Sequence, residues 1–249
     1  MSVAQIQHLA NDLPNHTNEI KAKVVALHIG DDSTLGRLSD MFDEVLIQAL
    51  RRIRRERLAE SISSSEEVFI ASATKEIVAK AIETDRRSAE SGMSASTRSQ
   101  QFRVCGYPVH HESEEIALSM LQSLIEDDCN VTLNSTRQWP SKVITEITAI
   151  QPDVNVLVVI PPTGLPQVKY MCGELHARCP QNSILVACLA NMKRSDELLV
   201  RLRKVEASCL TTSLQQTCHE IAMLKAASLP RFNDRESSQS VIVSATAST

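Results

Sequence analysis

The stretch Val154-Asn155-Val156-Leu157-Val158-Val159-Ile160-Pro161-Pro162-Thr163-Gly164 decides the fold. Apart from Asn155, every residue from 154 to 160 is Val, Leu or Ile. A short, nearly unbroken apolar run of this kind reads as a strand buried on both faces, at the centre of a parallel sheet. The two prolines stop the ladder because neither carries an N–H, and Thr163-Gly164 completes a turn. Upstream, FRVCGY (102–107) reads as a strand. Glu112 to Asp127 reads as a helix with Ile116, Met120, Leu121, Leu124 and Ile125 on one side. NVTL (130–133) is a short strand, and Pro140 opens a helix through Ile150 from the first helical position, where its missing N–H costs nothing. Downstream come a helix to about Arg178, the strand SILVAC (183–188), a helix from Ser195 to Val205, the weak strand ASCLTT (207–212) and a helix from Ser213 to Ser228.

Alternating strands and helices over residues 101–228 imply an α/β domain: a five-stranded parallel sheet with helices on both faces and right-handed crossovers. The expected strand order is the flavodoxin-like 2-1-3-4-5. Ligands in such sheets bind outside the carboxyl ends of the strands, near strands 1 and 3. That directs attention to the loops Gly106–Ser113 and Pro161–Leu165.

Ahead of this domain the pattern is helical. Residues 1–17 are polar and read as a flexible lead-in. The cap segment spans 18–84 and starts with a short helix, NEIKAKVVALHI (18–29). Residues 35–59 form an amphipathic helix, with Leu38, Met41, Phe42, Val45, Leu46, Ala49 and Ile53 on one stripe. Arg51, Arg52, Arg54, Arg55 and Arg57 are read as its solvated face, offset by Asp40, Asp43, Glu44, Glu56 and Glu60. Serines at 61–65 break it. A second helix, from about Ser65 to Thr84, has Glu66 and Glu67 in its first turn, where negative charge suits the helix dipole. Residues 85–100 are polar and read as a linker, and 229–249 as a disordered tail.

Composition excludes several classes. A net charge of -4 gives no general footprint for nucleic acid. No window approaches 18 uninterrupted apolar residues, so no membrane span is expected. The first residues lack the cationic start and apolar core of a secretory signal. The seven cysteines (105, 129, 172, 179, 188, 209 and 218) are odd in number and include no CxxC, which suits a reducing, cytoplasmic setting. Cys105, inside a strand, reads as a structural thiol, as do Cys172 and Cys179, seven apart on one helix. The patterns GxGxxG, GxxxxGK[ST] and GxSxG are missing, so nucleotide and hydrolase readings lose their usual support. Pro161 stands where a phospho-receiver would need an aspartate.

Two stretches carry a family resemblance. MFDEVLIQALRRI (41–53) resembles the cap helix of cobalamin-binding modules, which often reads YDEVLxPAL. VCGYPVHHESEEIALSMLQSLIEDD (104–128) resembles the strand, loop and helix bearing their cofactor signature. The resemblance implies a helical cap, a linker and a five-stranded domain. It also exposes departures. The family's acidic residue, its cobalt-ligating His and its Gly fall at Glu112, Glu114 and Ala117. The later Gly-Gly, which lets the nucleotide tail lie against backbone, falls at Cys188-Leu189. Carboxylate is a hard ligand and a poor substitute for imidazole on cobalt. HHESEEIALSML (110–121) is similar to the soluble domains fused to permeases of the autoinducer exporter family, whose loop reads roughly ARDEADEIA and which share the lost His.

The candidate ligand-binding residues are His110, His111, Glu112 and Glu114 after strand 1, Ser135 and Thr136 after strand 2, Pro162 and Thr163 after strand 3, and Thr211 and Thr212 after strand 5. Successive side chains diverge in an extended loop, so His110 and His111 cannot easily share one metal ion, and no metal is expected. The leading expectation is a non-catalytic regulatory or sensor module that has lost the cobalt-ligating His. It would bind a small molecule or a partner domain, expect no cofactor, and work beside a transporter; a homodimer is allowed. One alternative is a cobalamin-binding protein in the base-on mode, which needs no protein ligand on cobalt. A second is an uncharacterised enzyme using Glu112, Glu114 or His111 as acid and base.

Overall fold

The computed structural model describes residues 34–89, 102–138, 140–190 and 207–228, together with 200, 202 and 204. The expected helix at 18–29, the tail from 229, most of the linker and most of the helix at 195–205 lie outside the described residues.

The N-terminal part is a helical pair. Its first arm runs as α1 (Thr34–Met41), a π-helical segment (Phe42–Leu46) and α2 (Ile47–Leu58). The second arm is α3 (Ser64–Ala89). Ser63 and Glu66 build a capping box at its start: the Glu66 N–H donates to Ser63 Oγ at 3.2 Å, and the Ser63 N–H to Glu66 Oε2 at 2.7 Å. α3 continues to Ala89, so residues 85–89, expected in the linker, are helical. Charge pairing offsets their polarity: Arg87 bonds Glu83 one turn back at 2.9 Å, and Arg86 reaches Glu126 of the sheet domain.

The sheet domain contains β1 (Phe102–Pro108), α4 (Glu112–Ile125), β2 (Cys129–Leu133), α5 (Pro140–Ile150), β3 (Val154–Val159), α6 (Leu165–Arg178), β4 (Ser183–Cys188), β5 (Cys209–Thr211) and α7 (Leu214–Ser228). The strands are all parallel, in the order β2-β1-β3-β4-β5, as expected from sequence. β3 is central and buried along its whole length.

Side-chain alternation along β3 separates two cores. Val154, Val156, Val158 and Ile160 join α4, α7 and the cap residues Phe42, Val45, Leu46 and Leu50 in one cluster. Leu157 and Val159 join α5 and α6 through Ile144, Ile147, Val168 and Met171 in the other. The cap is therefore part of the first core, and Phe42 and Leu50 are fully buried. Gly106 allows α4 to lie close to β1, because a Cβ there would fall 2.7 Å from Leu118 Cδ2. Gly164 turns the chain from β3 into α6 at φ +93°, a conformation that suits glycine. The Pro161–Pro162 bond is cis.

Candidate functional site

Glu114 organises the carboxyl ends of β1 and β3. It sits in the first turn of α4 and is 1% exposed. Its Oε2 accepts the N–H groups of His110 (2.5 Å) and His111 (3.0 Å), and its Oε1 accepts the N–H of Ile160 (3.1 Å). One carboxylate thus ties the β1–α4 loop to the end of β3. Burial pushes its pKa above the ordinary value, and the three N–H groups pull part of the way back. His111 is the N-cap of α4, with Nδ1 accepting the Ser113 N–H at 3.1 Å. That bond requires an unprotonated Nδ1.

The cap closes over this junction. Arg54 of α2 is buried, donating through one guanidinium nitrogen to Thr163 Oγ1 (3.0 Å) and through another to Glu67 Oε1 (3.3 Å). Its Nε has no hydrogen-bond partner. Glu67 of α3 also meets Arg57 (3.5 Å) and His111 Nε2 (3.3 Å). Burial first, and then the Arg54 charge, hold the His111 pKa below its ordinary value, against the pull of Glu67. Lys75 of α3 pairs with Glu112. Asp43 caps α7, accepting the N–H groups of Leu214 (2.7 Å) and Gln215 (2.9 Å).

The candidate residues divide into three groups. His111, Glu112, Glu114 and Thr163 gather under the cap, each bonded to the chain itself, with His110 on the same loop and Pro162 exposed in the next. Ser135 and Thr136 lie after β2 and hold Glu115: both hydroxyls and the Thr136 N–H donate to Glu115 Oε1 at 2.7 to 2.8 Å. Burial raises the Glu115 pKa, but these donors outweigh it and leave the group below its ordinary value. Thr211 ends β5 and Thr212 follows it, and both bond forward to α7: Thr211 is buried against Thr217 at 2.7 Å, and Thr212 bonds Gln216 at 2.9 Å. Cys105 and Cys172 are buried thiols, with burial pushing Cys172 up to about 12.

Arg54 is a correction to the sequence reading, which placed it on a solvated face. The spacing held a signal. Leu46, Leu50 and Arg54 recur at i, i+4 and i+8, so Arg54 continues the apolar stripe rather than the opposite face. The sequence puts Glu67 in a helix first turn and Asp43 beside the arginine face, and no local pattern marks their partners His111, Leu214 and Gln215, which lie far away in sequence. Among the described residues, no group of three or more His, Cys, Asp or Glu side chains is arranged to hold a metal ion, and no helix is long and apolar enough to cross a membrane.

Fold and site together define a doubly wound α/β domain whose strand carboxyl ends are covered by an N-terminal helical pair. No protein-family model and no curated protein matches the chain. Among solved structures, it is similar to a cobalamin-binding protein from Desulfitobacterium hafniense DCB-2, at 9% identity and a TM-score of 0.42, over 89% of this chain and 97% of that one. A response regulator protein from Burkholderia multivorans is similar at 13% identity and a TM-score of 0.34, over 50% of this chain and 95% of that one. The methanol:cobalamin methyltransferase complex of Methanosarcina barkeri is similar at 12% identity and a TM-score of 0.33, over 87% of this chain and 82% of that one. At these scores none of them adds to what the sheet order already establishes.

Proposed function

We propose that this chain is a non-catalytic regulatory or sensor module, built like a cobalamin-binding domain but without the grip on the cofactor. It binds a small molecule or a partner domain at the strand carboxyl ends. The observation that carries this reading is Glu114. The resemblance puts a cobalt ligand at this position, and both oxygens of Glu114 are occupied by the chain's own N–H groups. Ala117 and Leu189, where the resemblance calls for glycine, are fully buried side chains. Arg54 joins the cap directly to the β3–α6 loop. These residues do not fit a corrinoid held through a protein ligand to its cobalt.

The non-catalytic part of the reading rests on the same bonds. Both ring nitrogens of His111 have partners, and Glu112 and Glu114 are paired as well. The likeness of residues 110–121 to exporter-linked domains makes a membrane transporter the partner to test first. A thermal-shift screen of metabolites on the whole chain tests the binding claim, because a ligand of the folded state raises its melting temperature by mass action. The reading expects at least one uncharged or anionic metabolite to raise it in proportion to log concentration. Turnover of any screened compound, lost in Glu114→Gln or His111→Asn, would replace a sensor with an enzyme.

A further inference from the structure

We propose that the crevice between the ends of β1 and β2 and the helices α5 and α6 is a binding site for a small uncharged cyclic amide or imide, about the size of a pyrimidine ring. This deepens the sensor reading and rests on it, by naming the side of the sheet and the class of ligand. The cavity measures about 240 Å³ and is lined by Tyr107, His110, Asn134, Gln138, Val143 and Met171, among others. That is room for on the order of eight water-sized atoms at ~30 Å³ each. It lies on the α5–α6 face, opposite the face the cap fills.

Two unanswered polar atoms give the cavity its chemistry. Tyr107 is 1% exposed, and its Oη makes no hydrogen bond of normal length and angle, with only the weakly bonding Cys105 thiol and the Asn134 amide beside it. Gln138 Oε1 is also buried without a partner, while its Nε2 donates to Glu146 at 3.3 Å and so fixes which end of the amide is left over. Buried polar groups in folded proteins are nearly always paired, so two orphans lining one cavity mark a place where something else supplies the partners. Burial keeps the Tyr107 phenol protonated, and hence a donor. Gln138 Oε1 can only accept. The matching ligand offers a carbonyl to Tyr107 and an N–H to Gln138.

Charge and shape narrow the class. Among the described residues, no Asp, Glu, Lys or Arg lines the cavity. A charged ligand would lose hydration without gaining a counter-charge. Val143 and Met171, both buried, supply an apolar wall for a flat ring. Ser135 and Thr136 form the rim but are committed to Glu115, so Tyr107 and Gln138 carry the recognition.

The test is a thermal-shift and calorimetric titration of the whole chain with uracil and 2-pyrrolidinone, with orotate as the charged counterpart of the same ring. A general metabolite screen runs in parallel on the wild type and on Tyr107→Phe. The variant keeps the ring and its packing and removes only the orphan hydroxyl, so it is expected to fold with unimpaired stability. The proposal expects uracil or 2-pyrrolidinone to bind, orotate to bind far less, and Tyr107→Phe and Gln138→Leu each to weaken binding roughly tenfold. Hits that survive unchanged in both variants would overturn the pocket while leaving the sensor reading in place. No hit of any class would overturn both. Orotate binding as well as uracil would overturn the ligand class.

Discussion

Asn155 is the second residue of β3 and has no exposed surface, and neither its Oδ1 nor its Nδ2 has a hydrogen-bond partner. Its strand neighbours in register are Cys105 and Ile184, neither of which offers a strong donor or acceptor. A desolvated amide left in this state lowers stability, so Asn155→Val is expected to raise it by about 1–3 kcal/mol, read as a higher urea midpoint at unchanged slope. His111 gives a prediction in pH. Its pKa is held below the ordinary 6.5, so the folded chain binds fewer protons than the unfolded chain between the two values. The stabilisation from His111 is complete above that ordinary value and is lost as pH falls through the lowered folded one. Asn can also cap a helix but does not titrate. The stability advantage of the wild type over His111→Asn should therefore shrink between about pH 7.5 and pH 5, in urea midpoints taken at each pH. An advantage that grew in acid would reverse the assigned direction.

At the scale of elements, α1, its π-helical continuation and α2 do two jobs. One stripe feeds Phe42, Val45, Leu46 and Leu50 into the core, and Asp43 alongside caps α7. Asp43→Ala should cost about 1–2 kcal/mol, the usual penalty for losing a cap. It should also speed hydrogen exchange at the Leu214 and Gln215 amides, while exchange along β3 changes no more than the global loss of stability requires. The element pattern was legible because it follows from local chemistry. The Val-rich run at 154–160 located the central strand, Pro140 the start of α5, and the Leu and Ile spacing the buried face of α4. The end of α3 was misplaced because two arginine–glutamate pairs support residues that look polar when read alone. The geometry of the site was only half legible. Glu114 could be found from its place in the signature-like loop. Its three N–H donors come from two loops that only the sheet brings together. Arg54 was hidden by its charge, although its spacing put it on the apolar stripe. Asn155 stood inside a strand signal too strong for one polar residue to weaken, so nothing marked it as an orphan.

Across the whole molecule, the cap and the sheet domain share one hydrophobic core and are joined by polar bonds at the β3–α6 loop and at the start of α7. Arg54, Glu67 and Lys75 hold the β1 and β3 loops, and Asp43 holds the start of α7. The cap therefore lies directly on the strand ends, while the cavity proposed for a small ligand opens on the other face. The central claim is that this arrangement keeps the architecture of a cofactor module without its cofactor seat. An absorbance titration of the whole chain with hydroxocobalamin and methylcobalamin, followed by gel filtration, tests it most directly. The account predicts that each spectrum equals the sum of its components and that the protein elutes colourless. A shifted corrinoid spectrum, with colour co-eluting with the protein, would contradict it.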